Sequence, residues 1–387
     1  MTESLQRVRL RLHLRSREEA MAGEVKAKER IFEALELKQP DRVPIFELGF
    51  NEASIANLGR HFSDDIPPIK HITDMTLEEQ LKYMELLGLI LAELGNDGIS
   101  TVFVIKKERI GQDLVRDKYG TSYRLSDAGE AIAFDGPVQG PQDIEKVASI
   151  EPDAGDYAML RYLVAKMGKD VAHFFTIPGP FRFSWQLRGA MERLLLDYMI
   201  DPDLALSLAR ITTDFCKAAI GMAADAGADV VALEGDLAFN TSTLMSPDQY
   251  RRFVKPYHAE IVECTHQIGL KIIKHSDGNL WPILDDLLEV GFDGIHPIQP
   301  QCMDIKQVKA HLKGRAAVLG NIDCSFLLPF GAEDEVEEVV RQTIEVAAPG
   351  GGYIISSSNS IHPGVKPENY IAMVRAARKY GAYPIHS

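Results

Sequence analysis

Eight short, apolar, β-branched runs recur along the chain, at residues 43–48, 98–104, 171–177, 229–234, 271–275, 294–298, 316–321 and 353–357. Runs of this kind suit strands buried on both faces, which parallel sheets require. Between them, apolar residues recur with helical spacing at 77–94, 157–167, 202–226, 247–268, 281–290, 305–312 and 334–347, and a last such segment, 367–380, follows the eighth run. Strand–helix alternation through eight repeats predicts an α/β fold of the (β/α)8, or TIM-barrel, type. The punctuation agrees. Ser246-Pro247 places a capping residue before a proline at the first helical position. Gly168, Gly227 and Gly269 sit where helices should stop. A doubly wound open sheet would carry a Gly-rich phosphate loop after an early strand. Here the first run continues into Gly49-Phe50-Asn51-Glu52, which is not such a loop.

Residues 112–138 break the rhythm with short alternating stretches at 114–117, 118–120, 121–125 and 131–134, with Gly120 and Asp127-Ala-Gly129 at turns. This predicts a small antiparallel insertion after the second strand, outside the barrel. The expected organisation is an N-terminal extension, residues 1–25, and one barrel domain, residues 26–387. Arg7, Arg9 and Arg11 make the N-terminus basic, but it lacks the apolar core of a secretory signal, and Met21 is the expected native start.

The bulk numbers exclude several classes. Hydrophobic residues make up 45% and charged residues 25%, enough for a large core. A formal charge of -14 argues against a general nucleic-acid binder, which needs clustered cations. Cys216, Cys264, Cys302 and Cys324 form no CxxC pair, so neither a zinc ribbon nor a disulfide framework is expected, and a cytoplasmic location fits. No apolar run is long enough to span a bilayer. The signatures of serine hydrolases, P-loop NTPases and zincin proteases are absent.

Chemistry concentrates at strand ends. The fifth run closes on His275-Ser276-Asp277-Gly278 and the fourth on Glu234-Gly235-Asp236. Residues two apart on an extended segment face the same way, so each pair can reach one ion. The alternatives are a packed histidine, a helix-capping aspartate, and an ion pair between a carboxylate and Lys274. His296 and Asp323 end the sixth and seventh runs, and Cys324 adjoins the latter. After the third run, Phe181, Trp185 and Arg188 could form a ring-stacking and anion-clamping wall, or be core residues and a surface arginine. Asn359 and His362 follow the eighth.

Several of these features, in order, resemble the uroporphyrinogen decarboxylase superfamily, from about Lys26 to Tyr383. They are Ala34-Leu-Glu-Leu-Lys-Gln-Pro-Asp41-Arg42-Val-Pro44, Gly179-Pro-Phe181, Ser246-Pro247 with Tyr250-Arg251 and Pro256, His275-Ser-Asp277-Gly278, Gly320-Asn-Ile-Asp323, Gly351-Gly-Tyr-Ile-Ile355 and Pro367-Glu-Asn369. The resemblance implies one of two chemistries: metal-free decarboxylation of tetrapyrrole acetates, or zinc-assisted methyl transfer between a small substrate or thiol and a corrinoid protein. The decarboxylase carries an Arg-Gln-Ala-Gly-Arg segment after its first strand, where this chain has Glu47-Leu-Gly-Phe-Asn-Glu52, and Asn359 stands in the place of its late histidine. The thiol-methylating members bind zinc with His-x-Cys and a later Cys; here those places hold His275-Ser276-Asp277 and the neighbourhood of Asn359.

An oxygen- and nitrogen-ligated metal suits an ether oxygen better than a thiolate. The expected function is therefore methyl transfer from a methoxylated, aromatic small molecule to a corrinoid protein. Zinc is expected on His275 and Glu234, with Asp236, Asp277 and Cys324 competing for the third place. Asp236 and Asp277 are also the expected acid/base groups. Phe181, Trp185, Arg188, His296 and Asn359 are expected to bind substrate. The expected partners are the methyl donor and the corrinoid protein, with no nucleic acid or membrane, and homodimer formation is compatible. A metal-free decarboxylase and a non-catalytic binding barrel are the alternatives.

Overall fold

The computed structural model describes residues 25–126 and 131–385. The expectations for residues 1–20 and Met21, and for the turn at Asp127-Ala-Gly129, lie outside the described residues. In chain order the strands are β1 (Gly98–Val102), β2 (Lys107–Arg109), β3 (Leu114–Asp117), β4 (Ser122–Leu125), β5 (Ala131–Asp135), β6 (Ala172–Pro178), β7 (Val230–Glu234), β8 (Lys271–His275), β9 (Gly294–His296), β10 (Ala317–Leu319) and β11 (Tyr353–Ile354). Strands β1 and β6 to β11 form one parallel sheet in sequence order, curled into an α/β barrel. Strands β2 to β5 form a separate antiparallel sheet inserted after β1.

Residues 43–48, the first expected strand, form no regular ladder, yet they close the barrel. Phe46 N–H donates to Ile355 O and Ile355 N–H to Pro44 O, both at 3.0 Å, while Asp97 N–H donates to Ile45 O at 2.8 Å. Pro44 has no N–H to offer, which interrupts the ladder. The Asp97 carboxylate completes the seam by accepting from Ile45 N–H at 2.8 Å. Arg30 and Arg42 donate to the same carboxylate at 3.2 and 2.7 Å, and Asp41 grips Arg30 at 2.5 and 2.7 Å. The Pro40-Asp41-Arg42 stretch therefore serves barrel closure.

Helix α1 (Ala27–Leu35) seals the N-terminal end of the barrel. Its Ile31, Ala34 and Leu35 join Phe46, Phe174, Ala232, Ile273, Leu319 and Ile354 in the interior cluster. The alternate residues Phe175, Val231, Ile272 and Val318 belong to the outer core, beneath the helices. This is the period-two division of a buried strand. Phe46 and Phe174 stack across the interior at 3.8 Å.

Further details differ from the sequence-based expectation. Helix α2 (Pro180–Arg188) follows β6, outside the expected helical segments. Residues 247–268 split into α3 (Pro247–Phe253) and α4 (Lys255–Gln267), because the Pro256 ring excludes a helical carbonyl four residues back. The insertion begins at Lys107 rather than Gln112, and residues 118–120 are a turn, closed by the Asp117 carboxylate accepting from Tyr119 and Thr121 N–H at 2.9 Å each. The inserted sheet packs Val115, Tyr123 and Ala133 against Trp185 of α2, so it becomes a wall of the barrel mouth. Among the described residues, no helix is long and apolar enough to cross a membrane.

Candidate active site

The C-terminal strand ends open into a cleft of about 1560 Å³. The loops after β7 and β8 carry its densest polar cluster, and glycines let them meet. Gly235 and Gly278 have φ of 123° and 88°. A Cβ on Gly278 would lie 2.6 Å from Phe239 O, so only glycine allows the second loop to pass this close to the first. Two hydrogen bonds then lock the loops together. Leu237 N–H donates to Ser276 Oγ at 2.9 Å, and Asp277 N–H donates to Asp236 Oδ1 at 3.0 Å.

This crossing gathers Asp236, His275 and Asp277, whose ligand atoms all lie within 4.8 Å of one another. His275 Nε2 is 3.9 Å from Asp236 Oδ1. Its Nδ1 is 2.8 Å from Nδ1 of His296, which lies buried in the barrel beneath it. Asn359 Nδ2 donates to Asp277 Oδ2 at 2.5 Å, while the buried Asp277 Oδ1 has no hydrogen-bond partner among the described residues. Burial, followed by the charges of Asp236 and Glu234, pushes the Asp277 carboxyl up to about 7. Burial, aided by Lys274 and Arg182, pushes His275 down to about 3, so its imidazole is neutral.

These residues fit a zinc ion. They offer a neutral imidazole and two carboxylates, and Asp277 Oδ1 is an orphaned acceptor. Three protein donors leave a position open, as catalytic zinc sites do. A histidine that ligates through Nε2 donates its other N–H behind it, and His296 Nδ1 is placed to accept.

The other expected site residues divide. Glu234, Cys324, Trp185 and Asn359 line the cleft with the triad. Glu234 and Cys324, expected as metal ligands, stand outside the three-residue group. Glu234 accepts from Arg182 Nη1 at 2.8 Å, so its ion-pair partner is Arg182 and not Lys274. Cys324 Sγ accepts from Ser358 Oγ at 3.3 Å, and burial raises its thiol to about 11, away from the thiolate a metal needs. His296 is fully buried behind His275 rather than exposed to the cleft. Phe181 packs in the outer core. Arg188 is buried, donating to Asp197 at 2.6 and 3.2 Å and to Val138 O at 2.6 Å, which turns it away from the mouth. Asp323 caps its own loop by accepting from Ser325 and Leu327 N–H.

Sequence reading passed over Arg182 and Lys107, both of which line the cleft. Arg182 lies one turn before Trp185 on an unanticipated helix, and Lys107 lies on the strand that the alternation pattern missed. Lys274 was read only as an ion-pair partner. It is fully buried, with its ammonium donating to the carbonyls of Leu233, Gly235 and His275, and so it pins together the two strand ends that carry the triad.

The uroporphyrinogen decarboxylase (URO-D) family model matches residues 114–380. Methylcobamide:CoM methyltransferase MtaA of Methanosarcina barkeri is 27% identical over 217 residues, 56% of this chain and 61% of that protein's length, less than two thirds of it. Uroporphyrinogen decarboxylase of Gloeobacter violaceus is 25% identical over 269 residues, 65% of this chain and 73% of that protein. Among solved structures, a methyltransferase from Methanosarcina mazei superposes with a TM-score of 0.68 at 20% identity, covering 92% of this chain and 99% of that one, and so shares the fold. With a family model matched over more than half its length, this chain belongs to the uroporphyrinogen decarboxylase family.

Proposed function

We propose that this barrel is a methyltransferase that takes a methyl group from a methoxylated aromatic small molecule and delivers it to the corrinoid of a partner protein, with zinc held by Asp236, His275 and Asp277. The observation that carries the reading is the triad itself: a neutral imidazole and two carboxylates converging at the mouth, one carboxylate oxygen buried without a partner among the described residues. Two relatives whose names describe methylcobamide:CoM methyl transfer, MtaA and MtbA, support methyl transfer as the reaction class. The donor set favours a different methyl-bearing substrate from theirs, because a sulfur-poor site suits an ether oxygen better than a thiol.

When bound, zinc supplies Lewis acidity toward that oxygen. The chain's residues do the remaining work. His296 and Asn359 orient His275 and Asp277. Lys274 holds the two strand ends in register. Trp185 offers a ring face at the cleft wall. The breadth of the cleft gives a partner's cofactor access.

A metal-free decarboxylase is the second reading, favoured by similarity to uroporphyrinogen decarboxylases and by an Asp277 carboxyl raised to about 7. Elemental analysis paired with a methyl-transfer assay separates the two. The proposal expects stoichiometric zinc, and methylation of reduced cobalamin from aryl methyl ethers that chelation abolishes and zinc restores. Undiminished turnover in metal-free protein, or release of CO2 from a carboxylate substrate, overturns it.

A further inference from the structure

Glu47 does not line the cleft. It sits between Phe46 and Leu48, which fill the barrel interior, so its own side chain turns to the other face, beneath the helix Pro367–Tyr380. It is 1% exposed and has no cationic partner among the described residues. Its contacts run to the loop after β11. Ser357 N–H donates to its two oxygens at 2.9 and 3.3 Å, and Ser357 Oγ lies 2.7 Å from Oε1. The same hydroxyl lies 2.7 Å from the carbonyl oxygen of Asn359. Asn359 in turn holds Asp277 through its amide, whose orientation Ser360 N–H fixes by donating to Oδ1 at 2.7 Å.

Proton counting decides the state of Glu47. A serine hydroxyl has one proton, and a carbonyl oxygen can only accept. Both 2.7 Å contacts are hydrogen bonds only when Ser357 donates to Asn359 O and Glu47 donates to Ser357. That requires a carboxylic acid, the form that burial without a cation also favours. Burial pushes the Glu47 carboxyl up to about 8, against the opposing hydrogen bonds from Ser357. The titratable groups that face it are Tyr370 on the helix and Cys324 after β10; burial keeps both neutral, so neither supplies a counter-charge. An ionised Glu47 would claim the Ser357 proton and leave the Asn359 carbonyl without its donor.

We infer that Glu47 is a positioning residue for the triad: as a buried carboxylic acid it directs the Ser357 hydroxyl onto the Asn359 carbonyl and so sets the loop that holds Asp277. The proton on Glu47 and its hold on Asn359 stand without a metal. The consequence for zinc rests on the metal site of the methyl-transfer reading.

Infrared difference spectra of the metal-free full-length protein, wild type minus Glu47→Gln, should show a carboxylic acid C=O band at neutral pH. That band should give way to carboxylate bands as pH rises through about 8. Glutamine keeps a donor for Ser357 Oγ and an acceptor for Ser357 N–H. Leucine keeps neither, and Ser357→Ala cuts the path with Glu47 in place. With zinc alone as the probe, competition with a chelator should find Glu47→Leu and Ser357→Ala weakened about tenfold, and Glu47→Gln within about twofold of wild type. A role in filling volume alone would rank leucine with glutamine. In crystals, Asn359 Nδ2 should stay on Asp277 in Glu47→Gln and leave it in Glu47→Leu. A carboxylate band at neutral pH, equal zinc affinity in every variant, or a loss in Glu47→Gln as large as in Glu47→Leu overturns the inference. Should Glu47→Leu not fold, Ser357→Ala carries the comparison. A wild type that takes up no zinc removes the metal reading, while the acid band and a displaced Asn359 still uphold the inference.

Discussion

At the N-terminal end of the barrel, Asp97 has no exposed side-chain surface and is held by Arg30, Arg42 and the Ile45 N–H. At the opposite end, Asp277 is half-buried, its neighbours include two further carboxylates, and its enclosed Oδ1 has no partner among the described residues. Both are aspartates beside a strand end. The first has its charge matched and closes the fold. The second sits beside like charges that Asn359 and Lys274 offset only in part, and a cation at the mouth would relieve them. Stability and chemistry are thus divided between the two ends, as the barrel architecture favours.

The sharpest way to break this comparison is to open the closed end. Asp97→Ala leaves the half-buried Arg42 without its carboxylate, the buried Arg30 with Asp41 alone, and Ile45 N–H unpaired. It should lower unfolding free energy by about 3–5 kcal/mol, read from denaturant midpoints, while zinc per folded chain stays the same. A loss of zinc as large as the loss of stability would mean that the two ends are not independent.

His275→Ala tests the other end. It should reduce zinc affinity by more than the about 100-fold expected for removing a supporting residue, with a much smaller shift in the unfolding midpoint than Asp97→Ala. Full zinc occupancy in this variant would remove His275 from the ligand set. A step smaller is His296→Phe, which keeps a ring beneath His275 but offers it no acceptor. Zinc affinity should fall about 10- to 100-fold, measured by competition with a chelator. No change would show that His275 takes its orientation from packing alone.

The smallest effect is read from pH. A metal needs the Asp277 carboxylate ionised, and burial beside Asp236 and Glu234 holds that group to about 7. Zinc affinity should therefore rise about tenfold per pH unit toward 7 and then level off. In metal-free protein the sign is reversed. The folded-state pKa lies above the unfolded value of about 3.9, so the folded chain binds more protons in that window. The contribution of Asp277 to stability is then full below the window and is lost as pH rises through it. Asp277→Asn should flatten both slopes, and slopes that persist in it would assign them to another group.

The barrel was legible because its signals are local. Alternation between apolar runs and helical spacing survives without knowledge of contacts, and the strand ends at Glu234, His275 and Asp277 follow from it. Residues 43–48 read as the first strand and stand in its place, but form no regular ladder, since Pro44 has no N–H to donate and the Ile45 N–H is taken by the carboxylate of Asp97, far away in sequence. Arg188 shows the opposite difficulty. An arginine after a barrel strand suits an anion clamp, and only the fold reveals that Asp197 and the Val138 carbonyl already occupy it. Arg182, on the same helix, takes the place at the mouth.

The residue order alone determined the strand–helix alternation, the inserted antiparallel sheet and the family, because periodicity and motif spacing are properties of neighbours along the chain. Tertiary structure decided which polar groups share a site. Asp236 meets Asp277 through a crossing of two loops that Gly278 permits, His296 is set behind His275 by the register of β8 against β9, and Lys107 reaches the cleft through the way the inserted sheet packs on Trp185. Each of these depends on distances between segments far apart in sequence. Such distances are set by packing and backbone hydrogen bonding across the whole barrel, and no local pattern encodes them.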